Sequence, residues 1–245
     1  MPIDIGNNQL NSVGANVLAY GNIVTDGLAL YLDAGIANSY PGSGTTWTDL
    51  SANGYDQLLV NGPAFNTGNG GYISYDGTDD YSSRGMAGTF ISNPELNGNI
   101  FSFGCWCYVT SGWYIISSGG QTSSAGVAFS YQNASPFVDF KGTSRECFIN
   151  ISSGDFPTGT WINWMFVSDN STFKVYKNGV YLQQGSVING GNSDVQTLLT
   201  LGVPNNATNA YLMNGRLASV MFYSKALSAS EVLQNFNANR RRFNI

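Results

Sequence analysis

The chain contains 245 residues, of which 42% are hydrophobic and only 10% are charged, and its formal net charge is −5. Histidine is absent, which excludes Ser-His-Asp triads, Cys-His nucleophile pairs and histidine-bound metals. Residues 1–83 contain eight Asp and no Lys or Arg, and no basic stripe follows, so we expect no nucleic-acid partner.

The first 26 residues are rich in Asn and Gly and carry only widely spaced hydrophobic residues. This pattern predicts an N-terminal arm over residues 1–26 that is ordered only where it docks on something. The segment has neither a basic start nor a continuous apolar stretch, so we expect no secretory signal and no membrane insertion. One folded domain is predicted over residues 27–245.

Short apolar runs between Gly, Asn, Ser and Asp clusters fill the rest of the chain and favour many antiparallel strands in a sandwich or barrel. Residues 100–109 predict a central strand, because large side chains occupy both alternating faces. Residues 173–182 predict a hairpin, since Asn178-Gly179 suits the positive φ values of a type I′ turn. Further strands are predicted at 27–33, 58–60, 72–75, 161–167, 196–201 and 215–223.

One short helix is predicted after Ser228. Glu231 completes a capping box with Ser228, and Leu227 and Val232 are spaced as a hydrophobic staple. Three residues of this helix are expected to pack inward: Val232, Leu233 and Phe236.

Three consecutive arginines follow the predicted helix and hold much of the positive charge of the chain's second half: Arg240, Arg241 and Arg242. The short run could contact a negatively charged partner. A solvated basic tail is the favoured interpretation, because short charge runs are usually exposed to water.

Five aspartates in the half without basic residues are candidate calcium ligands, because Ca²⁺ takes carboxylate oxygens from loops. The alternative is that they cap turns by hydrogen bonds to the backbone, which the flanking Gly and Ser favour. The three Cys have no zinc-site spacing and are predicted to be small core side chains. The candidate ligands are Asp33, Asp49, Asp76, Asp79 and Asp80.

Four stretches, taken in order, resemble the laminin-G-like branch of the concanavalin A-like lectin/glucanase superfamily. They are LYLDAG (30–35) with WTDLSANG (47–54), YDGTDDY (75–81), Trp161 through the YKNGV hairpin (176–180), and NGRLASV (214–220) with ALSASE (226–231). The resemblance covers about residues 27–237. It implies an all-β fold, a two-sheet antiparallel jelly-roll sandwich with one short C-terminal helix.

The superfamily includes retaining glucanases that carry an E-x-D-x-x-E strand. The three Glu of this chain, Glu95, Glu146 and Glu231, are far apart, so that motif is missing. Glycoside hydrolysis commonly needs two carboxylates on either side of the scissile bond. We therefore expect a protein that is not an enzyme.

Carbohydrate binding is the main alternative to a purely structural role, because sugar rings stack on exposed aromatic side chains. Packing in the core or on a sheet surface is commoner for such residues, and the sequence leaves both interpretations open. The candidate sugar-binding residues are Trp47, Trp106, Tyr108, Trp113, Tyr114 and Tyr131.

The stretch YPGSGTTW (40–47) also resembles stand-alone proteins of bacteriophage particles. This resemblance implies a virion surface protein, assembled in the host cytoplasm, with capsid decoration as the first expectation. A tail-fibre or tail-tip protein that recognises host glycans is the second, and a free lectin is the third. We expect a homo-oligomer whose arm joins other virion proteins by strand addition.

Overall fold

The computed structural model describes residues 22–51, 53–85, 100–118, 126–132, 134–141, 145–187, 198–204 and 211–245. Within these ranges the chain folds into two antiparallel β-sheets, one α-helix and short 3₁₀ segments. This architecture confirms the predicted all-β sandwich with one short C-terminal helix. None of the helices in the described ranges has the length and apolar character needed to cross a membrane.

The described residues form two eight-stranded sheets. The strands are β1 (Leu28–Asp33), β2 (Thr46–Trp47), β3 (Gln57–Val60), β4 (Ala64–Asn66), β5 (Tyr72–Asp76), β6 (Tyr81–Gly85), β7 (Ile100–Gly112), β8 (Tyr114–Ser117), β9 (Gly126–Gln132), β10 (Ser135–Lys141), β11 (Arg145–Asn150), β12 (Trp161–Asp169), β13 (Thr172–Lys177), β14 (Val180–Ser186), β15 (Leu198–Leu201) and β16 (Met213–Tyr223). Sheet A has the order β14-β13-β12-β7-β16-β5-β4, with β1 also paired to β16. Sheet B has the order β11-β10-β9-β8-β15-β6-β3-β2.

The predicted strands are present, and the two central strands of sheet A are longer than the sequence indicates. Strand β7 continues to Gly112, and β16 begins at Met213. The predicted strand at 196–201 appears as β15, and residues 196–197 lie outside the described residues. Seven strands were not predicted, because they are short or interrupted by polar residues and glycine: β2, β4, β6 and β8 to β11.

Strand β7 is covered on both faces, as its composition indicates. Phe103 and Cys105 face the main core between the sheets. Trp106 faces the opposite side, where the rings of Phe236 and Phe243 stack on it at centroid distances of 5.7 and 4.1 Å. All three cysteines are buried free thiols, which confirms their prediction as small core side chains.

The predicted hairpin joins β13 to β14. Asn178 has φ 51° and Gly179 has φ 76°, and these are the positive values that a type I′ turn requires. A Cβ atom on Gly179 would lie only 3.0 Å from Phe236, so this position needs glycine for packing as well as for backbone conformation.

Helix α1 (Ala229–Asn239) begins with the predicted capping box between Ser228 and Glu231. Val232 and Phe236 are buried against the outer face of sheet A, as predicted. The inward packing predicted for Leu233 is wrong, because its side chain is 44% exposed. Each helical residue advances by about 100°, so Leu233 lies beside the buried stripe and contacts Gly179 of the hairpin.

The favoured interpretation of the three arginines as a solvated tail is wrong for Arg242. A 3₁₀ helix (Arg240–Phe243) turns Arg242 inward, and its side chain is fully buried. Its Nη1 atom donates to both carboxylate oxygens of Asp33 at 2.8 Å, and its other nitrogens donate to the carbonyls of Asn69 and Gly71. This ion pair, the Asp33–Arg242 clamp, joins residues 209 positions apart. Arg240 and Arg241 are exposed.

The predicted arm falls mostly outside the described residues, which begin at Asn22. Residues 22–26 lie against α1: the Val24 amide donates to Asn235 Oδ1 at 2.8 Å, and the Tyr223 hydroxyl donates to the Val24 carbonyl at 3.0 Å. Val24 is buried. The base of the arm is therefore docked on the domain itself.

Candidate functional site

The aromatic side chains of sheet B follow from the two-residue period of its strands. In β10, Val138 and Phe140 belong to the main core, which places Phe137 and Asp139 on the opposite face. Phe137 contacts Tyr114 and Ala128 there in a separate apolar cluster. Sheet B thus carries apolar side chains on its outer face as well as toward the core.

Trp113 and Tyr211 form the exposed part of this surface. Gly112, with φ 101°, ends β7, and the Trp113 amide then donates to the Leu212 carbonyl at 3.2 Å. The amide of Tyr114 donates to the Tyr211 carbonyl at 3.4 Å. These bonds set the rings of Trp113 and Tyr211 side by side, with centroids 4.4 Å apart and planes tilted by 51°. Tyr211 is 41% exposed and Trp113 is half-buried.

Phe148 of β11 extends the surface at its other end. Its ring stacks on Phe137 with centroids 5.2 Å apart and an interplanar angle of 28°. Phe148 is 36% exposed. We call this cluster the aromatic ridge: Trp113, Phe148 and Tyr211 are its partly exposed members, and Tyr114 and Phe137 are its buried ones.

Asp139 supplies a carboxylate on the same face as the ridge, where it pairs in register with Ala128 and Phe148. Burial raises the pKa of the Tyr114 hydroxyl to about 12, and the charges of Asp139 and Tyr211 add to this effect. The Tyr114 phenol therefore keeps its proton at neutral pH and can act as a hydrogen-bond donor. Asp139 is fully buried and Tyr114 is 5% exposed, so both lie beside the exposed rings and not on the accessible surface.

Only some of the six predicted aromatic candidates lie in this site. Trp113 and Tyr114 belong to the ridge, while Tyr131 packs on Phe156 at 4.9 Å. Trp47 and Trp106 are completely buried, so the prediction that they stack on a sugar is corrected.

Trp47 is part of the main core, and Trp106 is covered by the segment that contains α1 and the 3₁₀ helix. Tyr108 is half-buried on the outer face of sheet A and contacts Trp161, far from the ridge in the strand order. Three residues of the ridge were not predicted from the sequence: Phe137, Phe148 and Tyr211. A two-residue alternation within 137–140 and another within 147–150, with Val138 and Phe140 and then Cys147 and Ile149 facing the core, would have indicated the first two.

Two of the five predicted calcium ligands are engaged within the fold. Asp33 is committed to the clamp and also accepts the Tyr31 hydroxyl at 2.9 Å. Asp49 accepts the amides of Tyr31, Ser51 and Tyr55, as well as the Ser51 hydroxyl at 2.7 Å. The calcium-ligand prediction is corrected for both residues, and Asp49 has the turn-capping role that was its alternative.

The carboxylates of Asp76, Asp79 and Asp80 lie within 4.8 Å of one another in the turn between β5 and β6. Asp76 accepts the Thr78 amide at 2.7 Å, and this bond lowers the pKa of Asp76. Asp80 accepts the Asp76 amide at 3.1 Å. Burial raises the pKa of Asp80, and the charges of Asp76 and Asp79 raise it further. These three groups could hold a cation, and two of them also cap the turn.

A family model, Laminin_G_3 of the concanavalin A-like lectin/glucanases superfamily, matches residues 76–233, which is more than half of the chain. The chain belongs to the concanavalin A-like lectin/glucanase superfamily. The resemblance carried by the four sequence motifs is thereby confirmed. No curated protein matches the sequence.

Similar solved structures include binding domains of botulinum neurotoxins. The serotype D binding domain has a TM-score of 0.66 and 14% identity, covering 87% of this chain and 52% of that chain. The neurotoxin DC binding domain has a TM-score of 0.65 and 15% identity at the same coverage, both in complex with SialylT and in complex with rat synaptotagmin II.

This chain therefore spans about half the length of these neurotoxin binding domains, and at this identity the likeness shows the fold alone. The superfamily member described here has a lectin-like jelly-roll fold of the kind found in receptor-binding domains. That this chain is not an enzyme stays a prediction.

Proposed function

We propose that this superfamily member is a non-catalytic carbohydrate-binding domain and that the aromatic ridge of sheet B is its sugar site. The exposed pair of Trp113 and Tyr211 carries this proposal, because two tilted rings with centroids 4.4 Å apart offer a platform for the apolar face of a pyranose. Exposed rings of this size are an unfavourable surface for water and are typical of binding sites.

Tyr114 and Asp139 are buried beside the exposed rings and would hold them in place, while Trp113 and Tyr211 would contact the sugar. The solved complexes of a similar domain with SialylT and with rat synaptotagmin II support a glycan or a receptor as the class of ligand.

A glycan array followed by titration of the best ligand tests this proposal. Trp113→Ala and Tyr211→Ala should each weaken binding at least about 10-fold, since truncating a central aromatic contact costs about 1.5–2 kcal/mol or more. Tyr181→Ala is the matched control, because Tyr181 is a half-exposed tyrosine on β14 of sheet A. Equal affinity of Trp113→Ala and the unchanged protein would exclude the ridge as the site.

A location on the surface of a bacteriophage particle is the second part of the proposal, with capsid decoration preferred over a tail fibre or tail tip. It is supported by the resemblance of residues 40–47, and residues 1–21 would supply the tether to a neighbouring subunit. Deleting residues 1–21 should leave a folded domain that no longer attaches to particles, because Val24 is kept. Full occupancy of the truncated protein on particles would contradict the tether, and its copy number per purified particle separates capsid from tail.

A further inference from the structure

A second set of aromatic residues lies on the outer face of sheet A, beside the 3₁₀ helix. Four neighbouring strands contribute one residue each to a cross-strand row, in which Trp161 pairs with Tyr108, Tyr108 with Arg216, and Arg216 with Ser74. Trp161, Tyr108 and Arg216 are half-buried, so all three present part of their surface to solvent. The proposed glycan-binding function of sheet B does not use this row.

The side chains of this row are fixed in place because their aromatic rings pack against one another. Trp161 meets the edges or faces of Tyr72, Tyr108 and Phe243 at centroid distances of 5.4, 5.7 and 4.8 Å. Its indole Nε1 donates to Asn69 Oδ1 at 3.1 Å, which fixes the rotation of the ring. A ligand would therefore meet a preformed surface, and little side-chain freedom would be lost on binding.

Arg216 is the charged member of this row. Its guanidinium carbon lies 4.4 Å from the ring centroid of Tyr108 and 5.1 Å from that of Tyr72. Among the residues that the structure describes, its guanidinium makes no ion pair and no hydrogen bond. Contacts with aromatic rings use the flat face of a guanidinium, whereas its N–H donors point outward in the plane. The donor edge of Arg216 is thus available to an anion.

The charges around the row favour an anion over a cation. Arg240 and Arg241 are exposed on the 3₁₀ helix, whose Phe243 packs against Trp161. The nearest carboxylate along β5 is that of Asp76, which pairs with Asn214 in register. Its oxygen is engaged by the amides of Thr78 and Asp79 and not by Arg216.

We infer that Trp161, Tyr108 and Arg216 form a second ligand site that binds a carboxylate-bearing saccharide. The carboxylate would accept two hydrogen bonds from the N–H edge of Arg216, as planar carboxylates do with guanidinium groups. The apolar face of the sugar ring would lie against Trp161 and Tyr108. A neutral sugar lacks the first contact and a simple carboxylate ion lacks the second, so the site selects for both features in one molecule.

NMR titration of the ¹⁵N-labelled protein tests this site directly. The probes are methyl glucuronide and N-acetylneuraminic acid as acidic sugars, methyl glucoside as the neutral match, and glucose 6-phosphate as a phosphate anion on a similar ring. At about 10 mM, where ligands with Kd near 1 mM are close to saturation, at least one acidic sugar should shift the Trp161 indole signal. Methyl glucoside should not shift this signal. A larger shift with glucose 6-phosphate than with either acidic sugar would mean that the site prefers a phosphate, and it would overturn the carboxylate-bearing saccharide as the ligand.

Variants separate the roles of charge and shape. Arg216→Gln should weaken binding of the acidic sugar at least about 10-fold. The affinity of Arg216→Lys should lie between those of Arg216→Gln and the unchanged protein, because lysine keeps the positive charge but lacks the planar guanidinium. Arg84→Gln, which removes a half-buried arginine of sheet B, is the control and should change nothing. Thermal unfolding of each variant checks that the fold is intact.

The spectrum also distinguishes this inference from the proposed function, since the Trp113 indole reports on the ridge and the Trp161 indole on the row. A shift of Trp113 alone would support the ridge and overturn the second site. No shift of Trp161 with either acidic sugar, or equal binding by Arg216→Gln, would also overturn it.

Discussion

The two sheets present similar faces to the core and very different faces to the outside. The outer face of sheet A is largely covered by the chain's own α1 and 3₁₀ helix, which the Asp33–Arg242 clamp holds in place. Sheet B has exposed aromatic rings on its outer face, with Tyr211 and Phe148 at the two ends of the ridge. The buried aromatic residues on the outer face of sheet A therefore support the fold, whereas Trp113, Tyr211 and Phe148 of the ridge keep part of their surface open to a ligand.

This difference shows that the aromatic content of a sandwich does not by itself indicate binding. Trp106 and Trp113 lie on neighbouring parts of the same stretch of chain, yet one is sealed beneath Phe236 and Phe243 and the other stands beside an exposed tyrosine. Their roles differ because the segment with α1 and the 3₁₀ helix covers Trp106, whereas Tyr211 leaves part of Trp113 open. The variants below test this difference between a covered and an open face.

Loss of the clamp should have the largest effect. Arg242→Ala leaves the Asp33 carboxylate buried without its cation, so we expect the free energy of unfolding to fall by about 3–5 kcal/mol. Urea denaturation measures this fall in the free energy of unfolding. Arg241→Ala is the control, since this neighbouring arginine is exposed and its loss should cost less than about 0.5 kcal/mol. Equal effects of the two substitutions would mean that the clamp does not hold the cover of sheet A.

Truncating one ring on each outer face compares the two sheets directly. Phe236→Ala removes a buried ring that stacks on Trp106 and should cost about 3 kcal/mol. Phe148→Ala removes a ring of the ridge that is 36% exposed and should cost about 1 kcal/mol. Thermal unfolding of both variants measures the difference, and a larger cost for Phe148→Ala would contradict the division into a covered and an open face.

Acid should weaken a smaller contact at the turn between β12 and β13. Partial burial opposes ionisation of Asp169, but hydrogen bonds from Lys174, Thr172 and Ser171 outweigh it and hold the pKa of this carboxyl well below its usual range. The stabilisation is therefore complete above the unfolded pKa of about 3.9 and is lost as the pH falls below it.

Asp169→Asn should cost about 1 kcal/mol at pH 7, because the pair with Lys174 is about one-third exposed and screened by solvent. The difference in stability between the variant and the unchanged protein should shrink steadily as the pH falls from 4 toward 2, because it disappears fully only below the lowered pKa of the folded state. A cost independent of pH between these limits would show that the charge of Asp169 is not what stabilises the turn.

The smallest effect is expected in the turn that connects sheet A to sheet B. Asp76 and Asp80 accept backbone amides there, whereas the side chain of Asp79 accepts no hydrogen bond from the described residues. If turn capping is the whole role of the cluster, Asp79→Asn should change stability by less than about 0.5 kcal/mol, with or without millimolar CaCl₂. A Ca²⁺-dependent rise in Tm that Asp79→Asn abolishes would instead establish the predicted calcium site.

Sequence patterns predicted the features that neighbouring residues determine. The Asn178-Gly179 turn and the Ser228–Glu231 capping box depend on residues a few positions apart, and both are present. The clamp could not be predicted in this way, because a polar Asp and an Arg in a basic run both resemble surface residues until the fold brings them together across 209 positions.

The candidate site was only partly predictable for the same reason. Trp113 and Tyr114 were among the predicted sugar-binding candidates, and of the two only Trp113 is partly exposed. Tyr211 and Phe148 come from distant segments, and only the pairing of strands in sheet B places them beside those residues. For Trp47 the sequence left sugar binding and core packing open, and β2 directs its side chain into the core.

The position of β16 in sheet A also constrains how the protein is made. This strand lies between β5 and β7, which precede it by many residues along the chain. During synthesis, β5 and β7 each have an unpaired backbone edge until β16 has been made and pairs with both. Such unsatisfied edges are templates for pairing with other molecules, so the nascent chain passes through an interval in which self-association competes with completion of the sheet.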